Sequence, residues 1–291
     1  MLIQQIFNGL ALGMAYALVA IGYSLVFGIL RLVNFSHGAV YAFGAHIVLF
    51  FVGFEFGFLP ALILGVVATG LLGMLIDKIA LQPLRKRKSP PITSLITTIG
   101  VSYIIQNLLM MQFGSEKKAF PKIFENRSII VFGAQVNTMQ LVIFGTSMVL
   151  LVALTFLVKG TKVGLAMRAV EQSEKNASLM GVNTNRIIMF TFFLGGVAAA
   201  IASVLISGYY EILYPTMGFM VGLKAFAAAV LGGIGVFHGA IVGGIVIGVA
   251  EGLAATWFGS AYRDLVAFII LILVLIIRPV GLFGKKGIEK V

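Results

Sequence analysis

Runs of about twenty mostly apolar residues recur along almost the whole chain, and no other feature limits its possible folds as strongly. A membrane-spanning helix needs roughly 20 such residues, because the hydrocarbon core of a bilayer is about 30 Å thick. Of the 291 residues, 60% are hydrophobic and only 11% are charged, whereas soluble domains carry about 25% charged residues. A water-soluble protein of this length would lack the charged surface that it needs. The sequence therefore predicts an integral membrane protein.

The apolar runs predict an all-α polytopic membrane protein with about 8–9 transmembrane helices in one bundle, and residues 1–291 are interpreted as a single transmembrane domain. The predicted spans are 5–30, 38–58, 59–77, 91–113, 139–158, 187–208, 218–236, 239–258 and 265–281. The span at 218–236 is the least regular, because it contains Lys224 and the run VLGGIGVFHG. A half-helix that turns back inside the membrane is the alternative there.

Basic residues lie in clusters between the predicted spans. The clusters are Lys78, Arg85, Lys86, Arg87 and Lys88; Lys159, Lys162, Arg168, Lys175 and Arg186; and Arg278, Lys285, Lys286 and Lys290. Cytoplasmic loops of membrane proteins carry an excess of Lys and Arg, so these segments and the turn at Arg31 are predicted to be cytoplasmic. The net charge of +11 is thereby explained without nucleic acid as a partner.

The same rule predicts the orientation of the chain. No Lys or Arg precedes Arg31, which predicts an external N-terminus and argues against a cleaved signal peptide, since that would begin with a charged region. Nine crossings then place the C-terminus in the cytoplasm. The segment 114–138, which carries Lys117, Lys118, Lys122 and Arg127 against Glu116 and Glu125, becomes the longest external loop.

Glycine occurs 35 times, often at helical spacing. Gly9 with Gly13, and Gly244 with Gly248, are pairs four residues apart. Small residues at this spacing let helix backbones approach closely in lipid, so the pairs predict a tightly packed bundle. Sliding or hinging of helices during transport is the alternative role for a minority of these glycines.

The sequence offers no support for enzymatic chemistry. Cys is absent, which excludes disulfides, thiolate metal sites and a cysteine nucleophile. The motifs H-E-x-x-H and G-x-S-x-G do not occur, and neither does the nucleotide-binding motif G-x-x-x-x-G-K-[ST]. We therefore expect neither a cofactor nor an ATP site of the chain's own.

One hydrophilic stretch interrupts the apolar chain, GLAMRAVEQSEKNASLMGVNTNR at residues 164–186. It predicts a helix over 167–180 that is supported by a Glu171–Lys175 pair one helical turn apart. Gly181 suits the left-handed conformation that ends helices, and Asn183 or Thr184 suits the start of the next helix.

Two interpretations of this helix are open from the residues alone. A solvated cytoplasmic loop would have the same composition. Alternatively, the helix inserts into a groove of a partner protein, with apolar side chains as anchors and charged side chains setting the register. The predicted anchors are Met167, Val170, Leu179 and Met180.

Three segments, in the same order over nearly the whole chain, resemble a known family. They are YSLVFGILRLVNFSHGAVYAFGA at 23–45, RAVEQSEKNASLMGVNTNRI at 168–187 and FMVGLKAFAAAVLGGIGVFHGAIVGGIVIGVAEGL at 219–253. The chain is similar to bacterial ABC-importer permeases of the branched-chain amino acid (LivH-type) family. The Ala-Ser-Leu-x-Gly core at 177–181 resembles the coupling region of that family.

The resemblance implies a permease subunit of the bacterial inner membrane that imports branched-chain or related amino acids by alternating access. Its implied partners are a second permease subunit of the LivM type, two cytoplasmic ATPase subunits and an extracytoplasmic solute-binding protein. The implied coupling segment is 159–186, with ATPase contacts at Arg168, Glu171, Glu174, Lys175, Asn176, Ala177, Ser178, Leu179 and Gly181. Urea, amides or another small solute are alternative cargoes.

Polar residues within or beside spans are the candidates for pore or gating roles: Asn34, His37, Lys224, His238 and Glu251. We expect His37 and His238 at membrane interfaces, and the tripeptide HGA at 37–39 and 238–240 raises an internal duplication. Lys224 is expected to extend to the outer interface, with a pair to Glu251 as the alternative. An ion-coupled secondary carrier is the rival class, but it should carry acidic sites at the membrane midplane, and no predicted span has one at its centre.

Overall fold

The computed structural model describes residues 2–55, 57–124, 127–131 and 133–284, and these form a helical bundle with two small strand pairs. The predicted Lys285, Lys286 and Lys290 and the predicted loop residue Glu125 lie outside the described residues. The helices are α1 (Leu2–Leu30), α2 (His37–Val52), α3 (Phe58–Ile76), α4 (Gln82–Lys86), α5 (Pro91–Phe113), α6 (Thr138–Gly160), α7 (Lys162–Gln172), α8 (Glu174–Leu179), α9 (Thr184–Tyr210), α10 (Met217–Gly232), α11 (Phe237–Trp257) and α12 (Arg263–Ile277). The strands are β1 (Lys118–Ala119), β2 (Ser128–Val131), β3 (Ala134–Asn137) and β4 (Ile212–Leu213).

The predicted all-α membrane architecture is confirmed. Within the described ranges, seven helical stretches are long and apolar enough to cross a membrane, and α2 and α10 are two shorter apolar helices. The stretch through α3 is continuous to Lys86, because a π-helical turn at Asp77–Leu81 joins α3 to α4. Each of the nine predicted spans corresponds to one of these elements.

The two short helices correct the predicted spans 38–58 and 218–236. Both α2 and α10 have 16 residues, which at 1.5 Å per residue is about 24 Å and less than the hydrocarbon thickness. Their first turns meet inside the bundle, where Gly38 and Gly218 are in backbone contact. Both helices are therefore shorter than the predicted spans, but the turn after α10 does not lead back, because Gly235 lies against Gly28 near the end of α1.

The core of the bundle is built around α1, which is buried continuously from Ala11 to Val26. α1 packs most extensively against α11, and α9 packs in a similar way against α3. The α1–α11 contact is antiparallel, with Gly9 against Gly248 and Gly13 against Gly244. The predicted close packing at these glycine pairs is confirmed.

The two helix triplets α1–α2–α3 and α9–α10–α11 share one pattern of a long helix, a 16-residue helix and another long helix. The first residue of each short helix donates its backbone N–H three residues back, from His37 to Asn34 and from Met217 to Tyr214. His37 and Met217 thus have matching positions in the two triplets. The HGA tripeptides do not, because His238 is the second residue of α11, the third helix of its triplet.

The loops separate onto two ends of the bundle. At one end, Gln4 and Gln135 exchange two hydrogen bonds of 2.7 Å between the start of α1 and the β2–β3 hairpin, and β1 pairs with β4. At the other end, Glu171 of α7 lies beside Gly28 near the end of α1. The loop at 114–138 and the hydrophilic stretch that contains Glu171 are therefore at opposite ends of the bundle, as the predicted topology requires.

Candidate functional site

The polar segment folds into two helices instead of the single predicted helix over 167–180. Ser173 separates α7 from α8: its N–H donates to the Ala169 carbonyl (3.1 Å), and its Oγ accepts from the Asn176 N–H (3.2 Å). A serine side chain that bonds the backbone in this way ends one helix and begins the next. The polar segment is defined below as residues 162–183, which comprise α7, α8 and the turn before α9.

The break at Ser173 also removes the predicted helical pair between Glu171 and Lys175, because the two residues now belong to different helices. Glu171 turns instead toward Gly28 at the end of α1. Partial burial there raises the pKa of the Glu171 carboxyl, while the nearby charges of Arg31 and Arg168 act in the opposite direction. Glu171 therefore belongs to the contact between the polar segment and the bundle.

Two of the four predicted anchors are buried in the bundle, which corrects their assignment. Met167 is 3% exposed and Val170 is 2% exposed, so neither side chain is available to a partner. Val170 belongs to a small buried cluster at this end of the bundle, whose members are Val26, Leu81, Val170, Ala177, Ile188 and Phe192. This cluster, called the inner-end cluster below, joins both helices of the polar segment to α1, α9 and the π-helical turn.

The other two anchors, Leu179 and Met180, form an exposed apolar tip at the end of α8. Leu179 is 78% exposed and Met180 is 85% exposed. Gly181 follows with a φ of +85°, which confirms its predicted left-handed conformation. The remaining predicted contact residues of α8 are also exposed, except Ala177: Glu174, Lys175, Asn176 and Ser178. The tip is thus a small apolar surface bordered by charged and polar groups.

Capping bonds hold both ends of the polar segment. Arg168 donates from Nη1 to the carbonyl oxygens of Val158 (2.5 Å) and Lys159 (3.1 Å), which are among the last of α6. At the other end, the Asn183 side chain accepts from the Arg186 N–H (3.1 Å) and begins α9. The prediction that Asn183 or Thr184 caps α9 is confirmed for Asn183, whereas Arg168 is engaged within the chain.

An ion pair that the sequence analysis did not predict stabilises the part of the bundle that contacts the polar segment. Asp77, which is fully buried at the start of the π-helical turn, receives two hydrogen bonds from Arg85, of 2.5 Å and 3.2 Å. Arg85 was assigned only to a basic cluster. Because Leu81 lies between the two charges in sequence and belongs to the inner-end cluster, the ion pair fixes the part of the bundle on which the polar segment rests.

Asn34 and His37 lie inside the bundle, and the expected interfacial position of His37 is wrong. His37 is 3% exposed, and its ring meets the Tyr23 ring edge-on at 4.7 Å. Asn34 is 5% exposed, and its Oδ1 accepts from both the N–H and the hydroxyl of Ser36, at 3.1 Å and 2.6 Å. These bonds shape the turn that starts α2 within the bundle. His238, in contrast, is exposed in the first turn of α11.

Lys224 is buried and ion-paired, which corrects the expectation that it extends to the interface. Its Nζ lies 2.9 Å from Oε1 of Glu251 and 2.7 Å from Oδ1 of Asp264, and Tyr16 donates to the other oxygen of Glu251 (3.1 Å). The alternative pair with Glu251 is therefore confirmed. Asp264 lies in the first turn of α12. Four helices meet at this cluster.

The candidate sites contain no arrangement suited to a metal. Among the described residues, no three His, Cys, Asp or Glu side chains come together as a possible metal site. Two candidate sites thus remain: the exposed tip of α8, and the charged cluster of Lys224, Glu251 and Asp264 at the opposite end of the bundle.

Comparison with known proteins gives a consistent result. The model of the family described as branched-chain amino acid transport system, permease component, matches residues 5–275. The chain is 39% identical to the high-affinity branched-chain amino acid transport system permease protein LivH of Escherichia coli K12, over 99% of this chain and 97% of the relative. It is also 39% identical to the permease protein BraD of Pseudomonas aeruginosa, over 99% and 98%.

A solved structure shares the fold at low sequence identity. PsaBC from Streptococcus pneumoniae in complex with Fab superposes with a TM-score of 0.51, at 15% identity, over 94% of this chain and 91% of the matched chain. The similarity concerns the arrangement of the helices and does not extend to the transported solute.

Proposed function

This chain belongs to the family of permease components of branched-chain amino acid transport systems, and from that premise we propose that the tip of α8 is a docking surface for an ATPase subunit. The chain is a multi-pass membrane permease subunit of an ABC importer, a class whose permease subunits are not themselves enzymes. A permease of this kind works with ATPase subunits and a solute-binding protein. The relatives are named for branched-chain amino acids, and the proposed cargo is the same.

The exposure of Leu179 and Met180 is the observation that carries the docking proposal. A pair of large apolar side chains with 78% and 85% exposure, next to charged residues at the polar end of a membrane bundle, suits a protein groove better than water or lipid. Burying a side chain of this size contributes about 1.5–3 kcal/mol. Two such anchors therefore suffice to weaken a partner's affinity more than tenfold when they are removed.

The inner-end cluster supports a mechanical role for the docked segment. Val170 and Ala177 are buried with Val26 of α1 and Phe192 of α9, so a displacement of the polar segment acts on two central helices directly. ATP-driven closure of the ATPase subunits then changes which side of the membrane the bundle opens to, as alternating access requires. Since the chain lacks the motif for nucleotide binding, the energy comes from the partner.

The finer parts of the proposal concern assembly and orientation. We place the chain in the bacterial inner membrane with the N-terminus outside and the polar segment in the cytoplasm, in accord with the distribution of Lys and Arg. A second permease subunit of the LivM type completes the pathway, together with two ATPase subunits. Segment 159–186 serves as the coupling segment and 114–138 as the external loop of one transmembrane domain.

A matched pair of substitutions tests the docking surface. Met180→Ser should lower the amount of ATPase subunit that copurifies with the permease about tenfold or more. Met111→Ser is the control, because Met111 is 84% exposed but lies at the end of α5, near the external loop. Equal recovery of ATPase subunits with both variants, together with unchanged uptake of leucine, would exclude docking at this tip.

A further inference from the structure

The charged cluster of Lys224, Glu251 and Asp264 borders a cavity that the docking proposal does not use. The cavity has a volume of about 310 Å³ and lies between α1, α2, α9, α10 and the first turn of α12. Lys117 and Tyr214, from the loops at the hairpin end of the bundle, line its edge. It is thus positioned where a solute arriving from that side would enter the bundle.

The charges in the cavity wall match a zwitterion. Lys224 presents an ammonium group and Asp264 a carboxylate, and both line the cavity with their charged atoms 2.7 Å apart. The Asp264 side chain is 44% exposed, whereas that of Glu251 is only 1% exposed. Glu251 therefore holds Lys224 in place, while Asp264 is accessible to a second cation.

An unused hydroxyl group adds a donor to the same cavity. Tyr41 of α2 is fully buried and lines the cavity, and its hydroxyl has no hydrogen-bond partner among the residues that the structure describes. A buried hydroxyl without a partner costs free energy that a bound polar ligand recovers. The cavity lining also includes the apolar side chains of Ile206, Met217 and Val221.

We propose that this cavity is a transit site for an aliphatic α-amino acid, in which Lys224 and Tyr41 bind the α-carboxylate and Asp264 binds the α-ammonium group. The branched side chain lies against Ile206, Met217 and Val221. The volume is at the lower end of the range of about 300–1,000 Å³ for small-molecule sites, which suits a ligand of this size. This assignment rests on the proposed function, because it takes the cargo of the importer as the ligand.

A transit site and a purely structural ion-pair cluster should respond differently to substitution. A purely structural ion-pair cluster between α10, α11 and α12 would need the pairs of Lys224 with Glu251 and with Asp264, but not the Tyr41 hydroxyl. A transit site needs both ends of the zwitterion to be bound, and it needs the apolar wall to fit the side chain. Substitutions that leave all three charged groups intact, such as Tyr41→Phe, therefore separate the two roles.

The test uses the complete importer in liposomes, with its solute-binding protein saturated with leucine or valine. Tyr41→Phe and Asp264→Asn should each lower leucine uptake roughly tenfold, with normal recovery of the assembled complex. Tyr103→Phe is the control, because Tyr103 is 60% exposed on α5 and should leave uptake unchanged. Val221→Phe, which fills the apolar part of the cavity, should lower uptake of leucine more than that of the smaller valine.

The outcomes separate this inference from the proposed function. Unchanged leucine uptake in Tyr41→Phe, or an equal loss of leucine and valine uptake in Val221→Phe, would overturn the transit site and leave the importer assignment intact. Absence of ATP-dependent leucine uptake by the unsubstituted complex would instead count against the proposed function.

Discussion

Gly38 and Gly218 occupy the same position in two helices and contact each other through their backbones. Each is the second residue of a 16-residue helix, and a Cβ atom added to either glycine would collide with the carbonyl oxygen of the other. The reciprocal contact explains how α2 and α10 both begin inside the bundle. It also brings the starts of the two short helices together.

Substitution at this crossing should destabilise the bundle. Gly218→Ala adds a methyl group against backbone atoms that cannot move independently, and overpacking of this kind costs about 1–3 kcal/mol. Gly100→Ala is the matched control, since a Cβ there meets nothing within 4 Å and alanine favours helix by about 1 kcal/mol. Thermal unfolding of the purified proteins should show a lower melting temperature for Gly218→Ala only. Equal melting temperatures would contradict the tight crossing.

A second prediction concerns the turn after α8. Gly181 has a φ of +85° and open space around it, so a side chain there is limited by the backbone conformation alone. Gly181→Val should cost roughly 1–2 kcal/mol in the left-handed region and reorient the exposed tip. ATPase copurification should fall while membrane insertion is retained. Gly181→Asn is the control, because asparagine tolerates this conformation, and equal losses in both variants would argue against the turn as the cause.

The buried ion pair near the polar segment yields a third prediction. Arg85→Met would leave the fully buried Asp77 without its partner, and breaking a buried pair in this way costs about 3–5 kcal/mol. The double variant Asp77→Asn, Arg85→Met should regain much of that loss, because the uncompensated charge is gone. Thermal stability of the three proteins in detergent measures the difference. A double variant no more stable than Arg85→Met would show that the unpaired charge is not the main cost.

The features that sequence predicted well are those encoded by long local patterns. Spans such as α5 and α6 were predicted to within a few residues, because each apolar run is bounded by polar or helix-breaking residues. The ends of α2 and α10 were overestimated, because apolar residues continue beyond Val52 and Gly232 into turns. Hydropathy alone does not distinguish a helix from a turn that carries apolar residues.

The parts of the site that escaped prediction depend on contacts between distant segments. Lys224 could be recognised as unusual from its position in an apolar run, but Asp264 became its partner only through the packing of α12 beside α10. The pairing of Asp77 with Arg85 depends on the π-helical turn between them. The exposure of Leu179 and the burial of Val170 follow from the break at Ser173, which the amphipathic pattern of the segment did not indicate.

The last prediction tests the orientation on which the docking proposal depends, and the absence of native cysteine makes the experiment direct. Ser178→Cys places a thiol on the exposed surface of α8, and Ser128→Cys places one on the exposed strand β2 at the opposite end of the bundle. A membrane-impermeant maleimide applied to spheroplasts should label Ser128→Cys at once, and Ser178→Cys only after the membrane is permeabilised. The two variants carry the same substitution, so a difference in thiol chemistry does not explain the result. Labelling of Ser178→Cys in sealed spheroplasts would place the polar segment outside, where no ATPase subunit could reach it.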